Sequence, residues 1–215
     1  MKLPLFPLRV VLFPGMALPL RIFEPRYREM MNLCIQTGQP FGVALIRSGA
    51  EVGGPAEPHT VGTYARISRV ERLPDGRLNI ETVGEDRFRI LALHHDDSYL
   101  TGTVEAYPLA GRDDPAARAS ARTLILQMEH YLTLLGQATD EPFNLGQLPA
   151  DPMTIAYLAA IVVQAPLAEK QELLAIASAA DLLDRERALY RREVSLLRAM
   201  LTDPQGRNKA PFLPN

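Results

Sequence analysis

The 215-residue sequence has one cysteine, no tryptophan and only three lysines among its 23 basic residues. A single cysteine, Cys34, excludes an intrachain disulfide and argues against a cysteine zinc site, so we expect a reducing, cytoplasmic setting. The 25 acidic residues nearly balance the basic ones, and the net charge of -2 provides no field that would attract nucleic acid. With 47% hydrophobic and 22% charged residues, the composition is that of an ordinary globular protein.

Long hydrophobic runs are also missing. The longest uninterrupted apolar run covers residues 155–163, far short of the roughly 20 residues that cross a bilayer. The apolar N-terminus, MKLPLFPLRVVLFPGMALPL, imitates a secretory signal, but Pro4, Pro7 and Pro14 would break the helix of such a signal and Arg9 interrupts it. We therefore assign this segment to the fold and expect no membrane partner.

Catalytic signatures are absent as well. The sequence contains no G-x-x-x-x-G-K-[ST] phosphate loop, no H-E-x-x-H zinc motif and no G-x-S-x-G nucleophile motif. Cys34 lies on an apolar stripe of a predicted helix, where a small buried side chain is expected rather than a nucleophile. The adjacent His94 and His95 do not have the spacing of metal ligands. We expect no enzyme activity, no cofactor and no metal.

The composition changes near residue 110. Residues 1–110 hold 10 of the 14 glycines and 8 alanines, whereas residues 111–215 hold 4 glycines and 18 alanines. Turn formers therefore dominate the first part and helix formers the second. We predict a β domain over residues 1–110, a helical bundle over residues 111–203 and a disordered tail over residues 204–215.

The first part is patterned as a series of short strands. Apolar runs predict strands at residues 41–46, 61–73, 77–83, 87–93 and 99–107. Asp75-Gly76 lies between two of these runs and is a strong hairpin signal, and Pro14-Gly15 predicts another tight turn. One helix interrupts the series, with Pro25 in its first turn and Gly38 as its stop signal, so that it covers residues 25–37. Because the strands are not separated by helical crossovers, a closed or nearly closed barrel is favoured over a parallel sheet.

The second part is patterned as helices. Asp114-Pro115 and Asp151-Pro152 are start signals, and the apolar spacing predicts helices over residues 115–136, 153–163, 166–177 and 180–201. The last helix has a wide apolar arc, which a bundle or a second subunit could cover. A monomer and a homodimer both remain open.

Several motifs in the first part resemble a known family. Residues 3–27 read LPLFPLRVVLFPGMALPLRIFEPRY, and FGVALI, VGTYARI, DGR and GEDRFRI follow in order. This series is similar to the N-terminal, substrate-recognition domain of ATP-dependent Lon proteases. It covers residues 3 to about 93 closely, and EKQELL at residues 169–174 resembles the helical extension of that domain more loosely. The resemblance implies an α+β fold, with an N-terminal PUA-like β pseudo-barrel containing one inserted helix and a C-terminal α-helical bundle.

The resemblance also implies a function. The ATPase and protease modules of a Lon protease do not follow in this sequence, which therefore resembles a stand-alone Lon-domain protein. It implies a non-catalytic module for substrate recognition or adaptor activity, with unfolded or flexible polypeptides, a protease or a chaperone complex as partners. Two alternatives stay open: an RNA-binding PUA-like protein, against which the near-neutral charge argues, and a small-molecule binder or enzyme with a pocket at the barrel mouth.

A polypeptide site is expected at an exposed apolar patch rimmed by arginines or in a groove between barrel and bundle, and strand addition at an unpaired edge is a second mode. The aromatic side chains of Phe13, Phe23, Tyr27 and Phe41 are expected mainly in the core. Glu24, at the helix start, is expected to pair with Arg66 or Arg87. The candidate polypeptide-binding residues are Arg21, Phe23, Arg26, Tyr27 and Arg28, and structural roles are expected for Pro14, Gly15, Glu24, Pro25, Asp75, Gly76 and Arg87.

Overall fold

The computed structural model describes residues 1–54, 56–141, 143, 146 and 151–202. The chain divides into two compact units. The sheet unit consists of residues 1–110 and 165–177, and the helical unit takes its described residues from 111–164 and from 178 onward. The predicted disordered tail at residues 204–215 lies outside the described residues. None of the described helices is long and apolar enough to cross a membrane.

The protein is a mixed α/β structure with seven strands and five helices among its described residues. The strands are β1 (Lys2–Leu8), β2 (Ala17–Ile22), β3 (Phe41–Gly49), β4 (Ala56–Pro58), β5 (Val61–Arg72), β6 (Leu78–His94) and β7 (Thr101–Ala106). The helices are α1 (Pro25–Thr37), α2 (Pro115–Thr139), α3 (Pro152–Val162), α4 (Leu167–Ala175) and α5 (Ala179–Thr202). The strands, α1 and α4 belong to the sheet unit, and α2, α3 and α5 belong to the helical unit.

The sheet is antiparallel apart from one strand pair. Neighbouring strands follow the order β1, β7, β6, β5, β3 and β4, and β1 also pairs in parallel with β3, with Leu5 opposite Gly42. Because β1 pairs with both β7 and β3, the pairings close a ring of five strands. Two strands lie outside this ring, since β2 pairs with β6 and β4 pairs with β3.

Strand β6 differs from the sequence-based expectation. Residues 77–83 and 87–93 were predicted as two strands, but a single strand runs from Leu78 to His94. Gly84 lies between the two apolar runs and is paired with Ala65 of β5, so the chain stays extended through it. Glycine in a strand permits another backbone to approach closely.

The approaching backbone belongs to the turn at Pro14 and Gly15. The Gly84 N–H donates to the Met16 carbonyl at 2.9 Å, and the Gly15 N–H donates to the Gly84 carbonyl at 2.8 Å. A Cβ on Gly84 would overlap the carbonyl oxygen of Phe13. Gly15 has φ of 81°, which favours glycine. The VLFPG and GEDRFRI motifs therefore meet in the structure.

Helix α1 covers the core of the sheet unit. It begins at Pro25 and ends before Gly38, which has φ of 69°, as the sequence predicts. Its buried face packs in one cluster with side chains from β1, β2, β3, β5 and β6. Of the aromatic residues expected in the core, Phe13, Tyr27 and Phe41 are buried, but Phe23 is half exposed.

The hairpin between β5 and β6 lies where the sequence predicts it, but its turn is not a two-residue turn. The Gly76 N–H donates to the Leu73 carbonyl and the Leu73 N–H to the Arg77 carbonyl, both at 2.9 Å. Gly76 has φ of 79°, whereas Asp75 does not have positive φ and instead accepts a hydrogen bond from the Arg77 N–H. The loop thus has three residues and ends in a left-handed glycine.

Helix α4 belongs to the sheet unit, although its residues lie within the segment that the sequence assigns to the helical bundle. Buried Arg87 of β6 donates from Nη1 to the carbonyls of Leu174 at 2.7 Å and Ile176 at 2.6 Å. The Tyr107 hydroxyl donates to the Ala175 carbonyl at 3.0 Å. The last carbonyls of a helix lack partners within the helix, and these side chains supply them.

The helical unit buries one face of each of its helices. The rings of Tyr131 and Tyr190 meet edge to face with centroids 5.4 Å apart, and the Tyr190 hydroxyl donates to the Ala159 carbonyl at 2.9 Å. Helix α2 begins at Pro115 as predicted, but it continues through Gly136 to Thr139, and Asp140, with φ of 57°, follows its end. Glycine costs a helix only about 1 kcal/mol, so it does not by itself end one.

Candidate functional site

The candidate site lies beside strand β2. Among the described strands, β2 pairs only with β6, so its other edge has no partner strand. A cavity of about 180 Å³ is lined by all five residues from Pro19 to Phe23. Consecutive residues of a strand point to opposite faces, so a cavity that touches all of them lies along the strand edge. The remaining lining residues are Phe6, Leu8, Glu24, Tyr27, Glu51 and Val52.

One wall of this cavity is apolar. The rings of Phe6 and Tyr27 pack with centroids 4.2 Å apart, and Leu8 and Ile22 are buried beside them in the core cluster. Phe23, in contrast, has 50% of its surface exposed. Val52, which also lines the cavity, is 57% exposed, so two large apolar side chains are exposed at this concave surface.

An ion pair lies at one side of the cavity. Arg26 Nη2 lies 3.0 Å from Glu24 Oε2, and the guanidinium lies 4.5 Å from the centre of the Tyr27 ring. The same Glu24 oxygen accepts a long hydrogen bond of 3.4 Å from the Gly53 N–H, and Arg26 Nη1 donates to the Gly54 carbonyl at 3.3 Å. This pair therefore connects Gly53 and Gly54 to the start of α1.

The prediction that Glu24 pairs with Arg66 or Arg87 is wrong. Arg66 pairs with Glu85, and Arg87 donates to the carbonyls at the end of α4. Arg26 instead reaches Glu24 because it lies only two residues further along, in the first turn of α1.

The loop over residues 49–54 is held at its other end as well. The Arg9 N–H donates to Glu51 Oε2 at 3.1 Å, and Arg9 Nη2 donates to the Gly49 carbonyl at 3.4 Å. Two glycines of this loop adopt positive φ, at Gly49 and Gly53. Polar contacts on both sides thus keep Glu51 and Val52 at the cavity.

The structure brings together three of the five predicted polypeptide-binding residues. Arg21, Phe23 and Tyr27 line the same cavity. Arg26 and Tyr27 together line a second cavity of about 200 Å³. Arg28 is apart from both, and its guanidinium occupies the space where a Cβ on Gly76 would stand.

Several lining residues were not among the candidates from the sequence. Leu20 follows from the alternation in Ala17–Ile22, in which Leu18, Leu20 and Ile22 face the core and the intervening residues are exposed. Glu51 and Val52 had no such signal, because they come from a loop whose position depends on contacts with Arg9 and Glu24.

Burial shifts the pKa values of two side chains of α1, one of which, Tyr27, lines the cavity. Burial raises the pKa of the Tyr27 hydroxyl and raises the pKa of the Cys34 thiol to about 11. Cys34 is therefore a neutral thiol at pH 7. Within the described ranges, no three His, Cys, Asp or Glu side chains are grouped so that they could hold a metal ion.

Comparisons with known proteins agree with this structure. The family model described as the ATP-dependent protease La (LON) substrate-binding domain matches residues 2–190. The Lon protease of Lawsonia intracellularis is 31% identical over 181 residues, which are 80% of this chain and 21% of that protease. The Lon protease of Escherichia coli strain K12 is 27% identical over 202 residues, which are 91% of this chain and 25% of that protease. The chain thus spans only about a quarter or less of the length of these curated relatives.

Solved structures show the same relationship. A Lon N-terminal domain protein from Xanthomonas campestris superposes with a TM-score of 0.64 at 28% identity, covering 87% of this chain and 98% of that one. The N-terminal domain of a Mycobacterium avium complex Lon protease has a TM-score of 0.64 at 19% identity, covering 89% of this chain and 98% of that one, and shows a shared fold. Since the family model covers most of the sequence, the chain belongs to the Lon substrate-binding domain family.

Proposed function

We propose that the protein is a non-catalytic module that recognises unfolded or flexible polypeptide segments at the cavity beside β2. The observation that carries this proposal is Phe23, half exposed at a cavity whose apolar wall consists of Phe6, Leu8 and Tyr27. The description of the family as a substrate-binding domain supports it. A protease or chaperone complex would be the partner that receives the bound polypeptide.

The size of the cavity suits a single apolar side chain. Folded proteins bury most of their large apolar side chains, whereas unfolded segments expose them. A cavity of about 180 Å³ accommodates one such side chain, and its burial contributes about 1.5–3 kcal/mol. We therefore expect weak binding that tolerates many sequences, as a module for unfolded substrates requires.

We also propose a finer description of the fold. The ring of five strands, covered by α1, supports a PUA-like pseudo-barrel, and the shared buried face of α2, α3 and α5 supports a helical bundle. In this proposal the β domain takes residues 1–110 together with α4, which the sequence alone places in the helical part.

Substitution of Phe23 tests the function. The variant Phe23→Ser removes the exposed aromatic ring without disturbing a buried group. We expect it to raise the Kd for fluorescein-labelled, carboxymethylated α-lactalbumin, a permanently unfolded polypeptide, by about five- to tenfold in fluorescence anisotropy. Native α-lactalbumin should bind neither protein.

Leu91→Ser is the matched control. Leu91 is 58% exposed, lies near the C-terminal end of β6 and does not line the cavity. Its variant should bind the unfolded probe as the wild type does. Equal loss in both variants would place the site elsewhere, and failure of the wild-type protein to bind the unfolded probe would refute the proposed function.

A further inference from the structure

We propose that the unpaired edge of β2 binds the polypeptide as an added β-strand, so that backbone hydrogen bonds hold the segment while the neighbouring cavity takes one of its side chains. This inference rests on the proposed function and adds the binding mode and the substrate class. The substrate would be an extended segment with alternating apolar and polar residues.

The hydrogen-bonding phase of β2 identifies its free backbone groups. The register places Ala17 opposite Val83 and Leu18 opposite Thr82, and the Gly84 N–H donates to the Met16 carbonyl. Bonded and non-bonded pairs alternate along an antiparallel ladder. The even-numbered residues of β2 are therefore bonded to β6, and the backbone groups of Ala17, Pro19 and Arg21 point to the free edge.

The position of Pro19 agrees with this alternation of bonded and free residues. Proline has no N–H, so it fits where its nitrogen faces away from the partner strand. The free edge then presents the N–H groups of Ala17 and Arg21 and the carbonyls of Ala17, Pro19 and Arg21. This is enough for a short added strand, but too little for the continuous pairing that leads to aggregation.

The two faces of β2 give the added strand its side-chain preference. Leu18 and Leu20 are partly buried against the core, and the cavity is lined by Leu20 and by Ile22 on the same face of the strand. Every second residue of an added strand would lie on this apolar side, and the others would lie beside exposed Pro19 and Arg21. Among the described residues, Arg21 makes no hydrogen bond or ion pair, so an acidic residue opposite it is favoured.

A flexible polypeptide fits this edge better than β2 of a second copy. Pairing two β2 strands would bring two prolines into one six-residue ladder, and each edge offers only two N–H donors. A heterologous segment without proline supplies a full set of donors to the free carbonyls. The occupant is therefore an unfolded segment of another protein.

Substitution at Arg21 tests the protein side of this pairing. Arg21→Pro removes an N–H that points to the free edge and no hydrogen bond between β2 and β6, whereas Arg21→Ala removes the side chain and keeps the N–H. We expect Arg21→Pro to raise the Kd for carboxymethylated α-lactalbumin about tenfold and Arg21→Ala by less than about threefold. Equal effects of the two variants would overturn the proposed pairing.

N-methylation tests the peptide side and does not depend on the folding of a variant. Overlapping peptides of about 12 residues from the α-lactalbumin sequence are screened against the wild-type protein, and the tightest one is N-methylated at either its odd or its even amides. Strand addition predicts that one set abolishes binding and the other leaves it within about twofold, because alternate amides face β2.

The outcomes separate the two proposals. If both methylated sets bind as the parent peptide does, the strand-addition mode is refuted and the polypeptide-binding function survives. If neither the unfolded protein nor any peptide binds, both proposals fall together.

Discussion

At the scale of single residues, two glutamates show how position decides the role of a carboxylate. Glu24 is partly buried and has Arg26 as its ion-pair partner. Glu186 of α5 is fully buried, and neither of its carboxylate oxygens has a hydrogen-bond partner among the described residues. Burial raises the pKa of Glu186 well above its usual value, and nearby Arg187 opposes this shift only in part.

This raised pKa makes stability depend on pH. The folded state keeps a proton on Glu186 at pH values where the unfolded state has lost it. The contribution of Glu186 to the free energy of unfolding is therefore fully present below the pKa of the unfolded state and is lost as pH rises toward the pKa of the folded state. Glu186→Gln keeps the shape and removes the titration. We expect it to raise the thermal midpoint by about 2–8 °C at pH 8 and by progressively less toward pH 4.

The control for this prediction is Glu129→Gln, on an exposed position of α2. Thermal unfolding of both variants and the wild type is followed by circular dichroism across the same pH range. Parallel midpoint curves for Glu186→Gln and the wild type would show that Glu186 does not titrate as its burial requires.

At the scale of elements, α4 depends on side chains from distant strands. Arg87 donates to two carbonyls at its C-terminal end, and Gln171 of α4 donates from Nε2 to the Val61 carbonyl at 3.0 Å. Arg87→Met keeps an unbranched chain but removes these donors. We expect a loss of about 2–4 kcal/mol in the free energy of unfolding, because buried carbonyls are left without partners.

Hydrogen exchange locates this effect. In Arg87→Met the amides of residues 173–177 should lose protection more than those of α1. Arg69→Met, at an exposed position of β5, serves as the control and should leave α4 unchanged. Unaltered protection of α4 in Arg87→Met would mean that other contacts hold the helix.

Element boundaries also show what a single sequence can supply. Helix α1 was predicted with its exact ends because Pro25 and Gly38 act locally on the backbone. The predicted end of α2 at residue 136 is wrong because Gly136 is tolerated within the helix, and the prediction of two strands at residues 77–83 and 87–93 is wrong because the chain stays extended through Gly84. In both cases tertiary packing outweighs a weak local preference.

At the scale of the whole molecule, the division of the chain does not follow its order. The sheet unit takes residues 165–177 from between two stretches of the helical unit. We expect the α4 amides to exchange hydrogen together with those of β5 and β6 as urea is raised, and not with those of α3, which precedes α4 in the chain. Exchange of α4 together with α3 would contradict this assignment.

The local features and the family could be predicted from the sequence. Proline and glycine positions set the turns and the limits of α1, the motifs from LPLFPL to GEDRFRI identified the Lon substrate-binding domain family, and the same run contained Arg21, Phe23 and Tyr27. These features can be predicted because each depends on a few neighbouring residues or on a continuous motif.

Contacts between residues far apart in the chain could not be predicted from the sequence, because they depend on tertiary packing. The cavity beside β2 needs Glu51 and Val52, the partner of Glu24 is Arg26, and the donors for the end of α4 come from Arg87 and Tyr107. No short-range pattern encodes such contacts, because buried polar groups must find partners wherever the folded chain supplies them. The site therefore combines a motif visible in the sequence with a loop and a strand edge that only folding brings beside it.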